Sequence, residues 1–533
     1  MLSFPSSNQL NQYLPWLIAL LAFVFRLVLF PYSQVTDSDA VSRVIIAEVW
    51  LIHPNWILSG VWGPFHTYLN ALALFLYNDR VIAPIALHML FGGLIAVPVY
   101  RFTARLFNTN SALVAAIIVA FSPLVVRNSL QPMAEVPYVF FVATCMWFLI
   151  RGMQEKPATV KWFIWAGIFL TVAAGMRYEA WVLIALFTLV VLLNKKWKGL
   201  VAFWSAAMIF PVSWMVGNYL EYGNFLYSVD YASYYNTVVH GVNDNETILL
   251  KIQRLVFFPL SIFHIYPLGL LAVLFPVVLL KISKKQFSKM QMTWLIPFCV
   301  MIVVFIYKAM EGTLLMQHRF SITLFLLILP FTAVIIPRGF NRRTLGIVLF
   351  IVGLHIGLTE IFQKFPIYER IIPESTLKEA FRKTRWLTFD QLQSVPKLED
   401  DTVQQLLEKT KGDRSSESPL LLDYFGWENT YNYAFNSRVD AEKIVFLTPD
   451  MLRVEQSFKE LKRYFQYPTS SEQGLIILRQ GSGNMKNVIT RNGQRNLIFE
   501  NDFVPIHQMD SVGSIYIFKF DTQFLKRKNN EPQ

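Results

Sequence analysis

Residues 14–39 read LPWLIALLAFVFRLVLFPYSQVTDSD, an apolar run from Leu14 to Phe30 followed closely by two carboxylates, Asp37 and Asp39. A spanning helix needs roughly 20 mostly apolar residues, somewhat fewer where flanking side chains reach the interface. No basic residue precedes the run and no small-residue cleavage site follows it, unlike a secretory signal. The segment is therefore expected to remain as the first transmembrane helix, with an acidic pair just beyond its end.

Further runs of this kind follow. By the same length rule about eleven segments qualify as spans, near 14–30, 81–100, 111–126, 137–150, 162–176, 180–193, 200–217, 255–280, 291–307, 319–337 and 344–360. Pro64 to Tyr77 is apolar but short, which marks an interfacial or re-entrant segment. Beyond Glu360 the composition becomes that of an ordinary soluble domain. The chain thus reads as a polytopic α-helical membrane domain over 1–360 and a soluble domain over 361–533. In the latter, Pro419–Tyr424, Lys443–Leu447, Gly474–Leu478 and Ser514–Phe520 read as strands. Thr402–Lys411 and Met451–Phe465 have helical periodicity, so the domain is expected to be α/β.

Charged residues make up only 16% of the chain and hydrophobic ones 54%, whereas soluble domains carry about a quarter charged residues. The net charge of +12 comes from the membrane part, where Lys and Arg set topology. No basic stripe on a soluble face suggests nucleic acid as a partner. Cys145 and Cys299 both fall in apolar runs, so neither a disulfide nor a zinc site is expected.

The loops fix a sidedness. With 64–77 kept outside, alternate loops hold Arg101 and Arg105; Arg151, Lys156 and Lys161; Lys195, Lys196 and Lys198; Lys281, Lys284, Lys285 and Lys289; and Arg338, Arg342 and Arg343. These mark the cytoplasmic side. Their only carboxylate is Glu155. The acids Asp37, Asp39, Glu48, Asp79, Glu135, Glu179, Glu221, Asp230, Asp244, Glu246 and Glu311 all fall on the other face. Chemistry is expected there, and the C-terminal domain is expected to be extracytoplasmic.

Several groups on that face invite a functional reading. Asp37 and Asp39 suit deprotonation of an acceptor hydroxyl, and with Glu135 they also suit a divalent cation such as Mg or Mn. The plainer reading of the pair is helix capping. In Gly60–Tyr68, the interface-favouring Trp62 and Tyr68 read as anchors, whereas His66 stands out. Between the third and fourth spans lie Arg127 and Glu135, which a local ion pair would explain. Ionisable groups near membrane depth are nonetheless default functional candidates. Arg177-Tyr178-Glu179 joins two spans with almost no loop, and His318-Arg319 opens another. Arginine's planar fork matches phosphate, while snorkelling would equally place arginine at a helix end. No glycine-rich phosphate loop is present, so nucleotide triphosphate chemistry lacks support.

In their order along the chain, Asp37 and Asp39, Trp62-Gly63-Pro64-Phe65-His66, Arg101–Phe107, Ser122-Pro123, Glu135, Arg177-Tyr178-Glu179 and His318-Arg319-Phe320 resemble membrane glycosyltransferases of the GT-C type. The similarity is to the protein O-mannosyltransferase and aminoarabinose-transferase-like group and covers roughly the first 340 residues. It implies a polyprenyl-phosphate sugar donor, an acceptor activated by the first-loop acids Asp37 and Asp39, and donor phosphate held by basic residues, here Arg177, His318 and Arg319. Glu135, His66, Glu179 and Arg127 would support the acceptor or a metal. The expected activity is inverting transfer of a sugar to an extracytoplasmic protein, lipid or polysaccharide at the cell membrane. A polysaccharide ligase or polymerase and a lipid-linked-sugar transporter are the alternatives.

Overall fold

A computed structural model of the chain describes residues 7–30, 38–52, 54, 62–155, 160–234, 237, 248–266, 268, 287–334, 336, 342–364, 401–447, 473–499 and 502–523. Asp37, most of 255–280 beyond Tyr266, and Met451–Phe465 lie outside these. The chain forms two compact units, one of residues 1–33, 61–65 and 85–395, the other of 34–60, 66–84 and 396–533.

The first unit is helical. Among the described residues, five helices are long and apolar enough to cross a membrane: Gln12–Leu29, Ile82–Leu106, Glu135–Gln154, Trp197–Tyr222 and Lys289–Met310. A bent pair, Thr109–Phe121 with Pro123–Leu130, makes a sixth if it is one span. Shorter apolar helices cover Val160–Ala174, Glu179–Leu193 and His318–Val334. Each sequence-predicted span thus overlaps a helix, and the chain is a multi-pass helical membrane protein with five or six clear candidate spans.

Local chemistry sets the breaks. Pro123 forces Ser122 out of the helical region, to ψ 128°, and the axis turns by 45°. Asn108 caps the preceding end by accepting from Ser111 N at 3.0 Å. Ser288 and Gln291 form a capping box before Lys289–Met310. Arg26, fully buried near the end of the first span, donates through Nε to Ser129 Oγ at 2.7 Å and through Nη1 to the Ala22 carbonyl at 2.9 Å. That bond fastens the first span to Pro123–Leu130, the segment leading to Glu135.

The second unit contains a seven-stranded mixed sheet ordered β2-β1-β3-β7-β6-β5-β4. Its strands are β1 Leu420–Asp423, β2 Ile444–Leu447, β3 Gln473–Arg479, β4 Val488–Arg491, β5 Gln494–Phe499, β6 Asp502–Val512 and β7 Ile515–Asp521. β1 pairs in parallel with β2 and β3, and the other pairings are antiparallel. Leu421, Val445, Ile476, Leu478, Val504, Ile506 and Phe518 build its core. Helices Asp401–Lys409 and Trp427–Asn436 belong to this unit, as does the first-loop helix Ser38–Ile52.

Candidate active site

Two acids begin helices. Glu135 opens Glu135–Gln154 and Glu179 opens Glu179–Leu193, where the helix dipole favours a negative charge. Arg177 sits in the tight connection between Val160–Ala174 and Glu179–Leu193, its N–H bonded to the Ala173 carbonyl at 3.0 Å. Arg319 lies in the 3-10 turn His318–Ser321. Folding gathers all four side chains.

Arg177 Nη1 donates to Glu135 Oε1, while Nε and Nη2 fork onto Glu179 at 3.1 and 2.6 Å. Arg319 Nε stands 3.7 Å from the same Glu135 oxygen and donates to Gln317 Oε1 at 2.7 Å. The Glu135 side chain is only 2% exposed, against 11% for Arg177 and 13% for Arg319. Two guanidinium groups thus share one buried carboxylate. Phe320 lies beneath both, its ring centroid 4.8 Å from the Arg177 guanidinium carbon and 5.5 Å from that of Arg319. Such packing against an aromatic face favours cations.

His318 is buried beside this cluster in sequence. Its Nδ1 meets Ser261 Oγ at 2.6 Å, and Ser261 in turn meets Ser321 Oγ at 2.7 Å. Ser261 therefore fixes the ring's orientation. Neither Ser261 nor Phe320 was assigned a role from sequence, because a serine in an apolar helix and a phenylalanine at a span's start look ordinary.

The turn bearing Arg177 is braced from behind. Phe65 N donates to the Gly175 carbonyl at 3.0 Å. A Cβ on Gly63 would overlap that carbonyl oxygen, and one on Gly175 would lie 2.5 Å from the Phe65 ring. The Trp62-Gly63-Pro64-Phe65 entry is thus a close backbone contact that requires glycine on both sides.

Other candidates lie as follows. Arg127 is buried on Pro123–Leu130. Asp39 occupies the first turn of Ser38–Ile52, and Arg43 lies one turn further along the same face. Arg43 Nη1 is 3.5 Å from Nδ1 of the buried His66, with both residues in the second unit. Asp37 is outside the described residues. Among the described residues no group of three or more His, Cys, Asp or Glu side chains is placed to hold a metal ion. Glu135 is committed to two guanidinium groups, a setting unlike the oxygen-rich surroundings that Mg or Mn take.

Residues 59–215 match the family model of dolichyl-phosphate-mannose-protein mannosyltransferases. The fold is that of ArnT from Cupriavidus metallidurans: its undecaprenyl-phosphate-bound structure aligns at TM-score 0.61 with 11% identity over 94% of this chain and 97% of that one. The apo structure aligns at 0.58 with 10% identity, over 97% and 98%. The chain thus has an ArnT-like fold and carries a segment similar to that mannosyltransferase family. A third structure, the Archaeoglobus fulgidus oligosaccharyltransferase in complex with zinc and sulfate, aligns at 0.46 with 11% identity over 86% of this chain and 67% of that one. No curated protein matches the sequence. The matched segment contains Glu135, Arg177 and Glu179, while Arg319 comes from beyond it.

Proposed function

We propose that this chain is a GT-C glycosyltransferase, which moves a sugar from a polyprenyl-phosphate donor to a hydroxyl of an extracytoplasmic protein, lipid or polysaccharide, with inversion at the anomeric carbon. The observation that carries the reading is the convergence of Arg177 and Arg319 on Glu135. A single phosphate at a membrane surface needs few cations, and guanidinium groups at helix ends suit it. The matched family is named for a dolichyl-phosphate sugar, and the similar ArnT structure holds undecaprenyl phosphate.

The acceptor oxygen attacks the anomeric carbon opposite the phosphate. The carbon–oxygen bond to phosphate breaks, its electron pair goes to the phosphate, and the acceptor proton goes to a first-loop carboxylate, Asp37 or Asp39. Phosphate gains negative charge as it leaves, so cations beside it stabilise the transition state more than the bound donor. Arg319, which donates to neutral Gln317 and stands farther from Glu135 than Arg177 does, is the primary phosphate ligand. Arg177, held by two carboxylates, supports it electrostatically, and His318, oriented by Ser261, completes the donor side. Arg127 and His66 serve the acceptor side.

The finer topology belongs to the same proposal. About eleven segments cross the bilayer, with the shorter apolar helices spanning by way of flanking interfacial residues. Residues 1–360 form the membrane domain and 361–533 the extracytoplasmic one, in a cell membrane. The cationic loops and the acids of the opposite face support this orientation. Transfer by purified protein from a panel of polyprenyl-phosphate monosaccharides tests the function. Transfer from at least one donor supports it, whereas exclusive use of a preassembled lipid-linked glycan would favour a ligase.

A further inference from the structure

The helix Ser38–Ile52 carries Asp39 in its first turn and Glu48 near its other end. Arg80 grips Glu48 with a full fork: Nε meets Oε2 at 3.0 Å, and Nη2 meets Oε1 at 2.8 Å and Oε2 at 2.7 Å. Their side chains are 7% and 19% exposed, so water screens the pair little.

Both partners also reach the C-terminal domain. Arg80 Nη1 donates to the Phe435 carbonyl at 3.4 Å, in the last turn of Trp427–Asn436. That end of a helix leaves carbonyls unsatisfied and favours a cation. Glu48 Oε1 accepts from Ala441 N at 3.4 Å, at the start of the 3-10 turn Ala441–Lys443, where a negative charge is favoured. Arg438 and Asp79 lie 3.7 Å apart at the rim of the same contact. The ion pair thus docks into two oppositely polarised backbone ends, an arrangement more specific than a surface salt bridge.

We propose that Glu48 and Arg80 are positioning residues, which lock the Asp39-bearing helix onto the C-terminal domain so that the first-loop acids are held for proton abstraction. The role rests on the reading of those acids as the catalytic base. It gives the C-terminal domain a task in catalysis without any catalytic group of its own. Misplacing a reacting group by about 1 Å costs on the order of 100-fold in rate, so a loosened helix should slow turnover while donor binding persists.

The test uses full-length protein with Arg80→Ala, Glu48→Gln and the exchanged pair Glu48→Arg with Arg80→Glu. Amide hydrogen exchange and steady-state transfer are measured together. We expect faster exchange across 38–52 in both single variants with the β1–β3 amides still protected. We also expect kcat reduced about 10-fold to 100-fold at unchanged donor KM, and no recovery in the exchanged pair, where each charge would face the backbone end that disfavours it. Unchanged exchange across 38–52, or a rise in donor KM with kcat intact, would overturn the positioning role. A wild type that transfers no sugar from any donor would instead remove the proposed function, an outcome the exchange data would distinguish from loss of the clamp.

Discussion

Arg177 and Glu135, 42 residues apart in sequence, meet as a buried ion pair whose carboxylate oxygen also lies 3.7 Å from Arg319. The pair is the pivot of a charge-balanced cluster, two guanidinium groups against Glu135 and Glu179. Any anionic ligand must therefore compete with the resident carboxylates.

That competition gives an unusual prediction. Glu135→Gln keeps the shape but removes one negative charge close to both arginines. At an effective dielectric constant near 20, a unit charge a few ångströms away is worth several kcal/mol. Polyprenyl phosphate should consequently bind at least about 10-fold tighter to this variant, and product release should slow. A direct binding titration of polyprenyl phosphate measures it, and weaker binding would contradict the assignment.

The two arginines should behave differently. Arg319→Ala removes a donor facing neutral Gln317. Hydrogen bonds to charged groups are worth about 1.5–3 kcal/mol, so donor affinity should fall roughly 10-fold to 150-fold with the fold intact. Arg177→Ala removes the cation bonded to both Glu135 and Glu179 and should lower the thermal midpoint as well, since breaking a buried ion pair costs about 3–5 kcal/mol. Parallel donor titrations and melting curves separate the two; identical behaviour would argue against distinct roles.

Gly63→Ala should be damaging although no reactive group is touched. The added methyl overlaps the Gly175 backbone oxygen, which cannot rotate aside. Overpacking of this kind costs about 1–3 kcal/mol and would displace the turn holding Arg177. A lowered melting temperature with a raised donor KM is expected; a neutral substitution would show that the turn yields.

In the C-terminal unit, burial first and then the nearby Glu48 and Glu417 charges raise the Asp440 carboxyl above its ordinary value of 3.8. Raising an acid's pKa on folding means that the folded state holds the proton more tightly. The resulting stability is complete below the unfolded value and lost as pH rises through the raised one. Asp440→Asn should flatten that acidic limb in melting curves recorded against pH, and an unaltered limb would exclude Asp440 as its source.

Much of the architecture was legible because burial in lipid writes long apolar runs, and each predicted span overlaps a helix. The shorter ones end where the chain breaks for a contact, as at Gly175, which composition alone does not signal. Strands β1, β2, β3 and β7 were legible as apolar runs. Strands β4 to β6 were not, since Val488–Arg491 is only partly buried and polar residues fill Gln494–Asn496. Their signal was the turn Asn492-Gly493, with φ 52° and 75°, the positive pair that a tight hairpin needs. The ionisable residues of the site stood out by their rarity in apolar surroundings. Their pairing did not, because Glu135, Arg177 and Arg319 come from separate helix ends brought together only by packing. The Glu48–Arg80 clamp was hidden for the same reason: its backbone partners lie near residue 440.

Sugar transfer from polyprenyl-phosphate donors by purified wild type, Asp37→Asn and Asp39→Asn, with folding checked in each, tests the central claim most directly. The account predicts transfer by the wild type and loss of kcat on the order of 100-fold or more in at least one folded Asp variant. Transfer that survives both substitutions would place the base elsewhere, and a wild type inactive with every polyprenyl-phosphate sugar would contradict the proposed function.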